Sequence, residues 1–153
     1  MKNKLIIFLA TAAYVGLLPK APGTFGTLWG ILLAYLEGGR GFAFHGAFII
    51  AITAVSIYIS GQAELIIGKK DPGEVVCDEV AGVLVAFFLL PFTAFNAILV
   101  FILFRIFDIL KPYPVSFLDR TIKGGTGIVL DDIAAGIYAN IAVHVILLIL
   151  SRA

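Results

Sequence analysis

Apolar residues in this chain come in long runs broken by short polar clusters. There is no period-two alternation, and no helix-length segment keeps a convincing polar face. Three stretches contain no Asp, Glu, Lys or Arg: residues 41–63 (23 residues), 80–104 (25) and 133–151 (19). Two shorter ones precede them, 5–19 and 21–36. A helix rises about 1.5 Å per residue, so roughly 20 residues cross a hydrocarbon layer of about 30 Å. Small residues are interleaved (Ala51, Ala54 and Ser56; Ala81 and Gly82; Ala134, Ala135 and Gly136), as close helix packing in lipid requires. The pattern predicts an all-α, polytopic helical membrane protein, a single membrane-embedded domain over residues 1–153.

Pro91 divides the longest run. Before it, Asp71-Pro72-Gly73-Glu74 reads as a helix start, with Asp71 at the N-cap, Pro72 at the first helical position and Glu74 closing a capping box. The expected spans are 27–37, 47–67, 72–90, 93–110 and 127–150, about five transmembrane helices. Residues 5–18 make roughly 21 Å of helix, short for a crossing. The apolar core of this segment is also too short for a cleaved signal peptide. It reads as a re-entrant or half-spanning helix that returns through residues 19–27, irregular backbone that a membrane tolerates when protein buries it.

Composition agrees. Hydrophobic residues are 61% and charged residues 14% of the chain, against roughly 45–50% and about 25% in soluble domains. A net charge of +1 offers nothing to a nucleic-acid backbone. Cys77 is the only cysteine, so one chain holds no disulfide and no multi-cysteine metal site. If Lys69 and Lys70 face the cytoplasm and the spans alternate, Lys2, Lys4, Lys20, Lys111, Arg120 and Lys123 join them, while only Arg40 and Arg152 lie outside. That is a strong positive-inside bias.

The acids go further than that rule requires. Every one except Glu37 gathers at or near the same rim. Glu74 and Asp78 would share a helix face at i,i+4, with Asp78 and Glu79 about two turns into their helix; Asp131 and Asp132 lie at similar depth on the last helix, and Arg105 and Asp108 are i,i+3 on a third. Intramembrane acids are a functional hypothesis by default. An oxygen-rich site built from Asp78, Glu79, Asp131 and Asp132 suits Mg²⁺. Arg105, Lys111 and Arg120 are placed to neutralise a phosphate. Pro22-Gly23-Thr24 opens a helix and could hold an anion through backbone N–H groups and the Thr24 hydroxyl; taken alone, a turn with Thr24 as N-cap is the preferred reading. Lys123-Gly124-Gly125-Thr126-Gly127 has the same character without being a Walker loop.

Other chemistries lack their residues. Cys77 has no arginine six positions on, no Asp-x-Asp pair is present, and His45 and His144 fall away from the charged rim. Metal-assisted attack on phosphorus remains.

Together the blocks Pro22-Gly23-Thr24, Asp71 to Asp78-Glu79 with Gly82, Phe104-Arg105-Ile106-Phe107-Asp108 into Lys111-Pro112-Tyr113-Pro114, Asp119-Arg120, and Gly124-Gly125-Thr126-Gly127 through Asp131-Asp132 with Gly136 resemble the phosphatidylglycerophosphatase A family. The resemblance covers residues 19–140 and implies a Mg²⁺-dependent lipid phosphatase of the bacterial inner membrane. It would release inorganic phosphate from phosphatidylglycerophosphate, a phospholipid of the inner leaflet, at a site facing the cytoplasm. The candidates carried over by position are Asp78, Glu79, Arg105, Asp108, Lys111, Asp131 and Asp132. In this expectation the carboxylates hold the metal, Lys111 and Arg105 offset phosphoryl charge, and Asp108 serves as base, with a direct Asp nucleophile as the other route. A homo-oligomer is compatible with the sequence. The alternative function is a small cation channel or transporter using the acids as an ion site; it predicts polar positions continuing across the bilayer.

Overall fold

In a computed structural model, residues 2–38 and 40–152 are described. Seven α-helices and no strand occur among them: α1 (Lys2–Ala10), α2 (Pro22–Glu37), α3 (Phe42–Ile67), α4 (Cys77–Ala86), α5 (Ala94–Leu110), α6 (Val115–Thr121) and α7 (Gly124–Leu150). A single turn of 3-10 helix, Val15–Leu17, lies between α1 and α2.

Two helices, α3 and α7, are long and apolar enough to cross a membrane. Most of their apolar surface stays unburied, unlike the core helix of a soluble protein. Ile50, Val55, Tyr58, Ile98, Ile141 and Leu148 all face outward from α3, α5 and α7. Surface of that kind belongs against lipid.

The element at the centre is α4, which differs from its expected form. The expected helix over residues 72–90 is only ten residues long, about 15 Å. Asp71 does not cap it: its φ is +46°, and the helix begins six residues later. Tertiary contacts override the capping-box pattern. The Val76 N–H donates to the Ala10 carbonyl at 2.8 Å, and Pro72, Val75 and Val76 are buried beneath the turn that follows α1. At the other end, the Asn140 amide donates to the Ala86 and Phe88 carbonyls at 3.0 and 2.7 Å, and Leu89 turns left-handed at φ +61°. The chain therefore leaves the helix before Pro91 rather than at it.

The short helix is almost entirely buried among α2, α3, α5 and α7. Val83, Leu84 and Phe87 pack with Val100, Phe104, Ala135, Ala139 and Val143 in the main core. Two glycines let α4 and α7 touch along their backbones. A Cβ on Gly136 would run into the Gly82 carbonyl, and one on Gly82 into the Asp132 carbonyl and the Phe104 ring. This contact sets the spacing between the acids of the two helices.

The N-terminal helix covers Lys2–Ala10 and not residues 5–18. Nine residues of helix, about 14 Å, cannot cross a bilayer. The chain then turns through Ala12, Ala13 and Tyr14, all at positive φ, and α2 begins at Pro22.

Candidate active site

Asp78 and Glu79 lie in the first turn of α4, not two turns in, because the helix starts at Cys77. Glu74 precedes the helix, so it shares no helical face with Asp78. Asp132 reaches them from α7, about 12 Å beyond that helix's first residue. One oxygen from each of Asp78, Glu79 and Asp132 can be chosen so that all three lie within 4.8 Å of one another. Asp78 is 7% exposed and Asp132 4%. Three carboxylates in so apolar a setting are costly without compensating charge.

Part of that charge comes from α5. Arg105 Nη1 donates to Asp108 Oδ2 at 2.5 Å and stands 4.0 Å from Glu79 Oε1. Asp108 is tied to the group through Arg105, the guanidinium it shares with Glu79. The i,i+3 spacing of Arg105 and Asp108 is what brings this pair together.

Asp131 points elsewhere. Its Oδ2 accepts from Lys111 Nζ at 2.6 Å, and the same ammonium donates to Asp119 Oδ1 at 2.9 Å. Lys111 caps α5 in a left-handed conformation, φ +43°, and turns its side chain towards α6 and α7. Burial alone would lower its pKa, but the hydrogen bonds to Asp131 and Asp119 outweigh this and hold it above the usual lysine range. The structure thus splits the expected four-acid set into a trio, Asp78, Glu79 and Asp132, and a lysine-bound Asp131 beside it.

The trio fits a hard divalent cation. Of the trio's oxygens, Glu79 Oε2 is buried with no hydrogen-bond partner among the described residues. Oxygen-only donors, anionic and partly unpaired, are what Mg²⁺ takes.

The glycine-rich segments have packing roles. Ala21 precedes α2 without a side-chain cap, so Thr24 sits within the first turn and caps nothing. Its N–H is already engaged with the Ala21 carbonyl at 3.0 Å, which leaves its half-buried hydroxyl as the group available to a ligand. Gly23 abuts Glu79 and Arg105, so the turn touches the acid cluster directly. Gly125 lies against Ile57 and Gly61 of α3, and Gly127 against Ile122. The second glycine-rich turn therefore closes a helix contact. Arg120 is exposed on α6 with no ion pair among the described residues. Asp119, not singled out from the sequence as a site residue, is the acid that shares Lys111; only its place after the Lys-Pro-Tyr-Pro turn hinted at it.

The family model described as Phosphatidylglycerophosphatase A matches residues 8–147. Phosphatidylglycerophosphatase A of Haemophilus influenzae is 36% identical over 146 residues, covering 92% of this chain and 88% of the relative. That of Escherichia coli is 33% identical over 130 residues, covering 84% and 76%. A protein of Bacteroides thetaiotaomicron provisionally named a phosphatidylinositol-3-phosphatase is 34% identical over 147 residues, covering 91% of each. No solved structure matches the chain.

Proposed function

The chain belongs to the phosphatidylglycerophosphatase A family, and we propose that it hydrolyses phosphatidylglycerophosphate to phosphatidylglycerol and inorganic phosphate in a Mg²⁺-dependent reaction. The observation that carries this reading is the meeting of Asp78, Glu79 and Asp132, from two helices, beside Arg105, with the Lys111–Asp131 pair at the next position of α7.

In this reading Asp78, Glu79 and Asp132 hold the ion. Bound there, Mg²⁺ supplies positive charge against the phosphoryl oxygens and makes nearby water more acidic. Arg105 and Lys111 share the remaining phosphate charge, and the Thr24 hydroxyl is available as a further donor. Asp108 is placed to take the proton from the attacking water. Arg105 engages its Oδ2, and no donor among the described residues takes Oδ1. Water oxygen bonds to phosphorus, the bond from phosphorus to the lipid's glycerol oxygen breaks, and that oxygen takes up the proton that Asp108 received from the water. The exposed Arg120 would act only on the approaching headgroup.

The lipid tails would stay against the apolar outer faces of α3 and α5 while the phosphate enters the charged rim. The positive-inside count supports placing that rim at the cytoplasmic face of a bacterial inner membrane. The shorter helices α2 and α5, about 24 and 26 Å, would cross with local thinning or tilt of their neighbours. Neither the family match nor the one-ended acid cluster favours an ion channel. The relative named for a phosphoinositide favours a second headgroup as the substrate to compare.

The test is phosphate release by the purified chain from phosphatidylglycerophosphate, phosphatidylinositol 3-phosphate and phosphatidic acid. Each is assayed with Mg²⁺, with chelator, and after Mg²⁺ is restored. The proposal expects phosphatidylglycerophosphate to be turned over fastest and chelation to stop it reversibly. Release that chelator leaves untouched would overturn the metal assignment, and preference for the phosphoinositide would overturn the substrate.

A further inference from the structure

At the end of the bundle away from the acid trio lies a second polar cavity, of about 250 Å³. Glu37, Arg40, Phe42, His45, Leu89 and Phe92 are among its lining residues. The proposed hydrolysis uses none of them. Glu37 is 6% exposed, as deeply buried as the acids of the trio. His45 Nδ1 lies 2.5 Å from its Oε1, and His45 Nε2 lies 3.0 Å from the Leu84 carbonyl. The imidazole is engaged on both sides and has nothing left for the second carboxylate oxygen. That oxygen, Glu37 Oε2, is shut off from bulk solvent and has no partner among the described residues.

The rest of the cavity is electrically divided. Helices α2 and α4 both end here, at Glu37 and Ala86, so their carbonyl ends add negative potential on the side of Glu37. Helix α3 begins here at Phe42, and its amide end adds positive potential beside Arg40, whose guanidinium stands 5.1 Å over the Phe44 ring. With His45 donating to acceptors on both sides, what the Glu37 wall still lacks is a hydrogen-bond donor for Oε2, and the adjoining wall lacks an anion. The rim is apolar and outward-facing: Phe42 and Leu89 are 71% and 61% exposed.

We propose that this cavity binds the headgroup of a zwitterionic phospholipid carrying a primary ammonium group, with the ammonium donating to Glu37 Oε2 and the phosphate against Arg40. The apolar rim continues into the lipid-facing surface, which suits a ligand with acyl chains and not a free amine. A trimethylammonium headgroup carries the same charge but has no N–H to give, so the unpartnered oxygen makes the site selective. Membership of a lipid-phosphatase family does not enter this inference, and its readout is binding.

The full-length chain in mild detergent would be incubated with equal amounts of phosphatidylethanolamine and phosphatidylcholine, and retained lipid counted by native mass spectrometry. The expected result is about tenfold preference for phosphatidylethanolamine, the scale of one charge-assisted hydrogen bond. Glu37→Gln, which puts a second donor where the acceptor was, should abolish the preference. Arg40→Gln, an exposed change outside the buried pair, should weaken retention of both lipids and leave phosphate release unchanged. If Glu37→Gln fails to fold, the wild-type preference and the Arg40→Gln loss still decide the matter. Equal retention of the two lipids by the wild type would mean that water alone meets Glu37 and would overturn the proposal. So would full displacement of the lipid by equimolar free phosphoethanolamine.

Discussion

Gly23→Ala separates the geometry of the acid cluster from the stability of the fold. Gly23 lies in the first turn of α2, where an added methyl group would collide with Glu79 Oε1 and stand 2.8 Å from Arg105 Nη1. Ordinary carbon contacts lie at about 3.5–4.0 Å, so both groups must retreat by roughly 1 Å. They are the far ends of flexible side chains and can do so at little cost to the fold. Alanine also favours helix over glycine by about 1 kcal/mol, which offsets much of the strain. The variant should therefore melt within a few degrees of wild type. Catalysis has less tolerance: a misplacement of about 1 Å costs on the order of a hundredfold. Phosphate release from phosphatidylglycerophosphate in mixed micelles, titrated with Mg²⁺, should show that fall in kcat/KM together with a higher Mg²⁺ requirement. Gly73→Ala is the matched control, because a methyl group there meets nothing within 4 Å. Wild-type kcat/KM at wild-type Mg²⁺ in folded Gly23→Ala would refute the placement of Glu79 in the reacting cluster.

Asp78→Asn and Asp132→Asn should each fold and lose about a hundredfold or more in phosphate release, checked beside circular dichroism; near-normal turnover in both would remove the site. Gly136→Ala should lower the melting temperature and activity together, since its methyl group meets the Gly82 backbone and the helices must part, at a cost of about 1–3 kcal/mol. Asp119→Asn leaves Lys111 its Asp131 partner and should raise KM a few-fold with little change in kcat, read from substrate titrations. The Lys111 ion pairs raise that ammonium's pKa, so their stabilisation is complete below the unfolded lysine value of about 10.4 and is lost only as pH rises through the higher folded value. The melting difference between wild type and Lys111→Met should accordingly be the same at pH 7 and pH 9.

The parts of this structure readable from sequence are those governed by local spacing. Residues 41–63 and 133–151 carry no charge and fall on α3 with its N-cap Gly41 and on the last helix with its C-terminal turn, because hydrophobic length alone dictates such elements. Arg105 and Asp108 pair because i,i+3 positions on any helix are neighbours. The start of α4 was illegible for the opposite reason. Asp71-Pro72-Gly73-Glu74 has the residues of a capping box, yet the decisive hydrogen bond joins Val76 to Ala10, sixty-six positions away. Its early end depends likewise on Asn140, a partner that no window around residue 86 contains.

The same distinction runs through the site. Sequence placed Asp78, Glu79, Asp131 and Asp132 at one depth, but depth does not say which way adjacent carboxylates on a helix point. Residues 131 and 132 stand about 100° apart around α7 and part to different neighbours, whereas the equally adjacent Asp78 and Glu79 both reach the trio from the first turn of α4. Asp132 turns to α4, where Gly82 and Gly136 bring the backbones together, and Asp131 turns to Lys111. The division follows from the left-handed Lys111, which ends α5 and sends its ammonium across to α7. A basic residue expected only to meet phosphate thus has a second task, holding one carboxylate of the adjacent pair away from the other three-acid group. If Lys111→Met frees Asp131 to join that group, Mg²⁺ should bind the variant at least as tightly as wild type by calorimetry while phosphate release falls. Loss of Mg²⁺ affinity in parallel with activity would instead show that Lys111 supports the metal site as a whole.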